Sequence, residues 1–154
     1  MGNIDKRLAE LGIILPAPAK PVANYVPWVR TGNLVFISGQ GAVHEGKFEY
    51  QGRLGDSVSL EDGVKSARLC AVNVLAQLRE ACGGNLDRVK RIVKLVGFVN
   101  ATASFTEHPK VVNGASDLMV EIFGDKGRHA RSAVGSPSLP FNLSVEVEAV
   151  AEIE

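Results

Sequence analysis

LEDGVKSARLCAVNVLAQLREACGGNLDRVKRIVKLVGFVN, residues 60–100, reads as one long helix followed by one long strand, and the rest of the chain is read outward from that pair. From Leu60 through Cys82, Val64, Ala67, Ala71, Val74, Leu75 and Leu78 fall on one helical stripe between polar flanks of Glu61, Asp62, Lys65, Arg68, Arg79 and Glu80, and Gly83-Gly84 stops it. Val89 to Asn100 is rich in β-branched residues and alternates in part, the pattern of a central strand. Downstream, Thr106 to Phe123 predicts a second helix with Pro109 in its first turn, Val111, Val112, Ala115, Leu118, Met119 and Ile122 inward, and Gly124 as its stop. Ala130 to Gly135 and Leu143 to Ile153 read as the last strands. Tyr25 to Arg30 and Leu34 to Ser38 read as a hairpin about Thr31-Gly32-Asn33. The order ββ-α-β-α-ββ predicts an α+β fold, a single mixed sheet with both helices on one face.

The ends are less regular. Residues 3–14 space Ile4, Leu8, Leu11 and Ile13 as a short amphipathic helix with Asn3 as its cap. Prolines at 16, 18, 21 and 27 predict an extended strap over residues 15–24. Residues 39–57, with glycine at 39, 41, 46, 52 and 55, read as a loop or a small irregular hairpin. The chain is therefore one domain over residues 1–154, with a helix and strap in 1–22 and the core in 23–154.

At 154 residues the chain can bury about two-thirds of its unfolded surface without disulfide or metal support. Lys plus Arg (17) cancel Asp plus Glu (17), which removes the broad positive field of a duplex nucleic-acid binder and favours self-association. Aromatics are only 6% of residues, little material for a base-stacking platform. Cys70 and Cys82 sit about 18 Å apart along one helix at ~1.5 Å per residue, too far to bond, and two unbridged thiols fit a cytoplasmic protein. No stretch reaches the ~18 apolar residues of a membrane span. His44, His108 and His129 are scattered, no zinc, P-loop or GxSxG spacing occurs, and no metal or cofactor is expected.

The chemistry-bearing stretches are Ala130-Arg-Ser-Ala-Val-Gly135 and Val145-Glu-Val-Glu-Ala149. If these strands pair about a centre near 138.5, Arg131 lies directly opposite Glu146 on the same side of the sheet. That pair reads either as a solvent-face ion pair, worth about 0.2–1 kcal/mol, or as an Arg fork holding a substrate carboxylate beside a proton-handling Glu.

Together with Tyr25-Val-Pro27, Gly32-Asn-Leu-Val-Phe-Ile-Ser-Gly-Gln40 and Leu139-Pro140, these blocks resemble, in order, the signature of the Rid (reactive intermediate deaminase) family, also called YjgF-like or L-PSP endoribonuclease-like. The resemblance runs from about residue 23 to the C-terminus, and the N-terminal segment and the 41–57 loop look like those of a longer subgroup. It implies a chorismate-mutase-like subunit, a homotrimer with ligand clefts between neighbours, and cofactor-free hydrolysis of enamine or imine intermediates such as 2-aminoacrylate to 2-keto acids and ammonia. By the same resemblance Arg131 clamps the substrate carboxylate and Glu146 positions or deprotonates water. Tyr25, Ser38, Gly39 and Asn113 line the cleft, and Ala133 stands where many members carry a cysteine. A non-catalytic trimeric sensor of small carboxylates is the alternative. The ribonuclease or translation-inhibitor role in the family's name is disfavoured by zero net charge, and Arg88-Val-Lys-Arg91 reads as a solvated strand entry.

Overall fold

The computed structural model describes residues 2–21 and 23–154. In chain order the elements are α1 (Asn3–Glu10), β1 (Trp28–Thr31), β2 (Leu34–Gly41), β3 (Val43–His44), β4 (Lys47–Phe48), α2 (Leu60–Ala81), β5 (Val89–Asn100), α3 (His108–Phe123), β6 (Ala130–Ser136) and β7 (Val145–Ile153). Ser59 caps α2 by accepting from the Asp62 N–H at 3.1 Å, and Gly124, at φ 62°, ends α3. Residues 39–57 resolve into the end of β2, the β3–β4 hairpin and a loop. One five-stranded sheet runs β1-β2-β7-β5-β6, with β5 and β6 parallel and every other neighbour antiparallel. This is the mixed sheet read from the sequence, with α2 and α3 across one face and α1 as a third helix against α3.

The pairing assumed for Arg131 and Glu146 is wrong, because β6 and β7 do not touch. A strand that follows a helical crossover on the same sheet runs parallel to its predecessor. So β6 lies along the outer edge of β5, and the chain crosses the end of β5 before β7 descends on its other side. The registers set Arg131 beside Leu95 and Glu146 beside Phe98. Leu95 and Phe98 are three apart and point to opposite faces. Leu95 is fully buried on the helix-covered face. Arg131 therefore belongs to the helix side and Glu146 to the uncovered side.

Between sheet and helices lie Val35, Ile37, Leu95, Val145, Val147 and Ala151 from the strands, and Val74, Leu75, Leu78, Leu118 and Met119 from the helices, all buried. The two helices pack closely at Gly114, where a Cβ would overlap the Val64 carbonyl oxygen and come within 3.2 Å of the Arg68 nitrogen. The uncovered face carries Val29, Phe36 and Val134, all exposed, on the side that Glu146 shares.

Asn3 was expected to cap α1, but it is the first helical residue and no side chain of its own segment caps the helix. Instead the Asp87 carboxylate accepts from the Asn3 and Ile4 N–H groups at 2.9 and 2.8 Å, which docks the helix on the β5 entry and holds Asp87 below the usual carboxylate range. The strap holds neither helix nor strand over residues 15–21 and bends at residues 23 and 24, Val22 lying outside the described residues. Gln77 Nε2 donates to the Ala19 carbonyl at 2.7 Å and ties it to α2. Cys70 and Cys82 are both buried and unbonded.

Gly114→Ala tests the helix contact. Helix propensity alone would stabilise it by about 1 kcal/mol, but the obstacle is backbone, which cannot rotate aside, and overpacking costs ~1–3 kcal/mol. The urea midpoint should fall, while Asp117→Ala on the exposed side of the same helix should not lower it.

Candidate active site

The candidate residues separate into two groups. The first is built on a β-bulge. Ile37 pairs with Ala149 and Gln40 with Val147, so Ser38 and Gly39 together face the single residue Glu148. The bulge passes directly under Glu146, whose Oε1 occupies the space a Cβ on residue 39 would need. Only glycine leaves room for that carboxylate.

Ser38 ties the preceding segment to the bulge. Its N–H donates to the Pro27 carbonyl at 2.9 Å and its hydroxyl to the Val26 carbonyl at 3.0 Å, while Gln40 Nε2 donates to the Ser38 carbonyl at 3.0 Å. Tyr25, just upstream and half exposed, then faces a cavity of about 220 Å³ lined also by Lys20, Gly39, Phe48, Phe141 and Glu146. Partial burial pushes the Glu146 carboxyl above its ordinary pKa, and the charge of Glu148 adds to the shift. Tyr25, Gly39 and Glu146 thus meet in one cavity, and Ser38 supports it from behind.

The second group lies on the edge strand and on α3. Arg131 Nη1 donates to Asn113 Oδ1 at 2.7 Å and to Ser116 Oγ at 3.2 Å. Asn113 and Ser116 are three apart and share one helix face, so together they grip one corner of the guanidinium. Its Nε and Nη2 donate to no acceptor among the described residues, which leaves the two-donor edge that fits a carboxylate. Ser116 Oγ lies 2.9 Å from His129 Nε2, and His129 Nδ1 lies 2.6 Å from the Gly127 carbonyl. A carbonyl can only accept, so Nδ1 carries a hydrogen; in the neutral form of the ring Nε2 then accepts from the Ser116 hydroxyl, whose oxygen accepts from Arg131. Ala133, two residues on, shares the Arg131 side, faces Gly97 and packs against the core, so no thiol stands there.

Sequence reasoning missed Lys20, Phe48 and Phe141 in the Glu146 cavity and Ser116 and His129 behind Arg131. The strap and the 41–57 loop were read for their backbone alone, and only the fold brings them to Glu146. Ser116 and His129 belong to no motif. Their sole signal is helical spacing from Asn113 and adjacency to Arg131. Among the described residues no three His, Cys, Asp or Glu side chains gather to hold a metal ion, and no helix is long and apolar enough to cross a membrane.

Comparison with known proteins places this architecture. Over 153 residues the chain is 47% identical to Protein TCP17 of Trypanosoma cruzi, covering 99% of this chain and 95% of that one. It is 28% identical over 142 residues to a Dermatophagoides farinae protein named 2-iminobutanoate/2-iminopropanoate deaminase, covering 92% and 95%. A crystal structure of an Agrobacterium tumefaciens protein of unknown function superposes with a TM-score of 0.93 at 46% identity, covering 98% of this chain and 92% of that one. Residues 5–153 match the family described as "YjgF/chorismate mutase-like, putative endoribonuclease", so the match begins well upstream of residue 23. With nearly its whole length matched, the chain belongs to the YjgF/chorismate mutase-like family.

Proposed function

We propose that the chain is one subunit of a homotrimeric, cofactor-free imine hydrolase that converts 2-imino acids to 2-keto acids and ammonia in clefts between copies. The observation that carries this reading is the separation of Arg131, with its open two-donor edge, from the Glu146 cavity on the opposite face of the sheet. Each half lacks what the other supplies: a two-donor guanidinium edge without a carboxylate base, and a carboxylate without such a fork. An edge strand of one copy meeting the bulge of the next unites them. The exposed Val29, Phe36 and Val134 on the Glu146 face supply apolar surface for that contact, and zero net charge opposes no such association. The deaminase name of one relative agrees with the reading.

The chemistry asks little more of the protein. A protonated imine is electrophilic, and its planar carboxylate accepts two parallel bonds from a guanidinium, which fixes the imine carbon. Water adds to that carbon as Glu146 takes its proton. Glu146 returns the proton to nitrogen, and the C–N bond breaks as the carbonyl forms, the hydroxyl proton passing through Glu146 to the departing ammonia, which leaves 2-keto acid and ammonium. A carboxyl with a raised pKa suits a group that must both take and give a proton near neutrality.

The test generates imines in situ with an amino-acid oxidase and traps them with semicarbazide. The wild type should suppress trapping and Arg131→Ala should not. If the wild type leaves trapping unchanged for every imine while still binding keto acids, the protein is a carboxylate binder. Arg131→Lys keeps the charge but loses the fork, and KM should rise about tenfold or more.

Arg131→Ala and Glu146→Gln, each inactive alone, should complement when refolded together. Random assembly of equal amounts leaves about a quarter of the clefts with both groups intact. A mixture that stays inactive would place both groups in one copy's site, or outside the reaction.

Glu146 also links pH to stability. Its folded form holds a proton to higher pH than the unfolded chain does, so between the ordinary and the raised pKa the native state binds more protons and stability falls as pH rises. Glu146→Gln should therefore be inactive yet melt higher than wild type near pH 7, with the gain vanishing at pH 4. Activity of the wild type should climb as pH rises through the raised pKa.

A further inference from the structure

Phe48 and Phe141 stack with ring centroids 5.2 Å apart and planes inclined by 19°, although they come from the β4 hairpin and from the 3-10 turn before β7. Neither ring serves the core, since 41% of Phe48 and 62% of Phe141 remain exposed. In a chain so poor in aromatics, two rings held together at the wall of the Glu146 cavity call for a cause.

The backbone beneath Phe141 is costly. Phe141 and Asn142 both adopt left-handed conformations, at φ 57° and 56°, which non-glycine residues populate rarely. Two bonds from the 41–57 loop clamp them there: Gln51 Nε2 donates to the Phe141 carbonyl at 2.7 Å, and the Gly52 N–H donates to the Asn142 carbonyl at 2.9 Å. The following residues are anchored in the interior. Asn100 Nδ2 donates to the Leu143 carbonyl at 3.0 Å, and Ser144 Oγ lies 2.7 Å from Ser66 Oγ. The same loop that carries Phe48 therefore also fixes Phe141 beside it. Strain of this kind persists where the surroundings over-determine it, and it gathers at ligand sites.

We infer that Phe48 and Phe141 form a side-chain subsite, and that the ligand of the Glu146 cavity is a single amino-acid-sized molecule bearing an aromatic or bulky apolar side chain. The inference deepens the imine-hydrolase reading and rests on it for the identity of the reacting group. At about 220 Å³ this copy's share of the cleft suits a small molecule, and Phe48, Phe141 and Glu146 line it together. Glu146 lines that space together with the two rings, whose exposed parts offer an offset or edge-on contact to a phenyl or branched aliphatic group. A methyl-sized side chain, as in the simplest 2-imino acids, leaves that surface wet and gains nothing from the strained turn.

The experiment compares imines generated from phenylalanine and from alanine with wild type, Phe48→Ala, Phe141→Ala and Phe141→Leu. Wild type should favour the phenyl imine about tenfold or more in kcat/KM. Both alanine variants should lower the phenyl value about tenfold more than the methyl value, with Phe141→Leu between. Equal losses for both imines, a wild-type preference for the methyl imine, or a changed oligomeric state in the alanine variants would overturn the proposal. The last outcome would make the rings assembly contacts. Affinities for phenylpyruvate and pyruvate separate the two levels of the argument. If no imine is hydrolysed but the phenylpyruvate preference is present in wild type and lost in Phe141→Ala, the subsite stands and the hydrolase reading fails.

Discussion

The crossover from β5 through α3 makes β6 parallel to β5, and a parallel strand on that edge leaves β7 to pair on the other side. From that constraint come the two addresses of the candidate residues. Arg131 is delivered beside Leu95 under the rim of α3, where Asn113 and Ser116 are waiting to hold it. Glu146 is delivered beside Phe98 on the uncovered face, over the bulge at Ser38 and Gly39. Gly114, next to Asn113 on α3, packs against the α2 backbone with no room for a Cβ.

Each half-site is tuned by a different kind of physics. On the arginine side the tuning is by hydrogen bonds. A backbone carbonyl selects the His129 tautomer, His129 orients the Ser116 hydroxyl, and two oxygens on α3 absorb one corner of the guanidinium while its outer edge stays free. On the glutamate side the tuning is by desolvation, since a half-buried carboxyl with another acid two residues along gives up its proton reluctantly.

Much of this was legible in the residues. Long amphipathic stripes and β-branched runs set α2, β5 and α3 within a residue or two, because a repeating pattern reports burial directly. The blocks Ser38-Gly39-Gln40 and Ala130 to Gly135 pointed to the two groups of candidate residues that the fold keeps apart. Strand pairing was not legible, because β6 and β7 are neighbours in sequence and read naturally as a hairpin. Pro137, Pro140 and the 3-10 turn of Pro140–Asn142 mark a connection that crosses a strand instead. Nor could spacing show that Asp87 would cap a helix more than eighty positions away, or that Phe48 would meet Phe141. Those contacts are set by tertiary geometry alone.

The placing of Arg131 and Glu146 on opposite faces of one sheet also has a genetic consequence. In an assembly of the kind proposed, every copy lends its clamp to one neighbour and its base to the other. A copy carrying both defects therefore silences two clefts of three, so a mutant allele expressed beside the normal one would remove more activity than its share of the protein. Conversely, after gene duplication the two duties could pass to different copies, each free to decay on one face only. A heteromer with a single working cleft is a short evolutionary step from this fold.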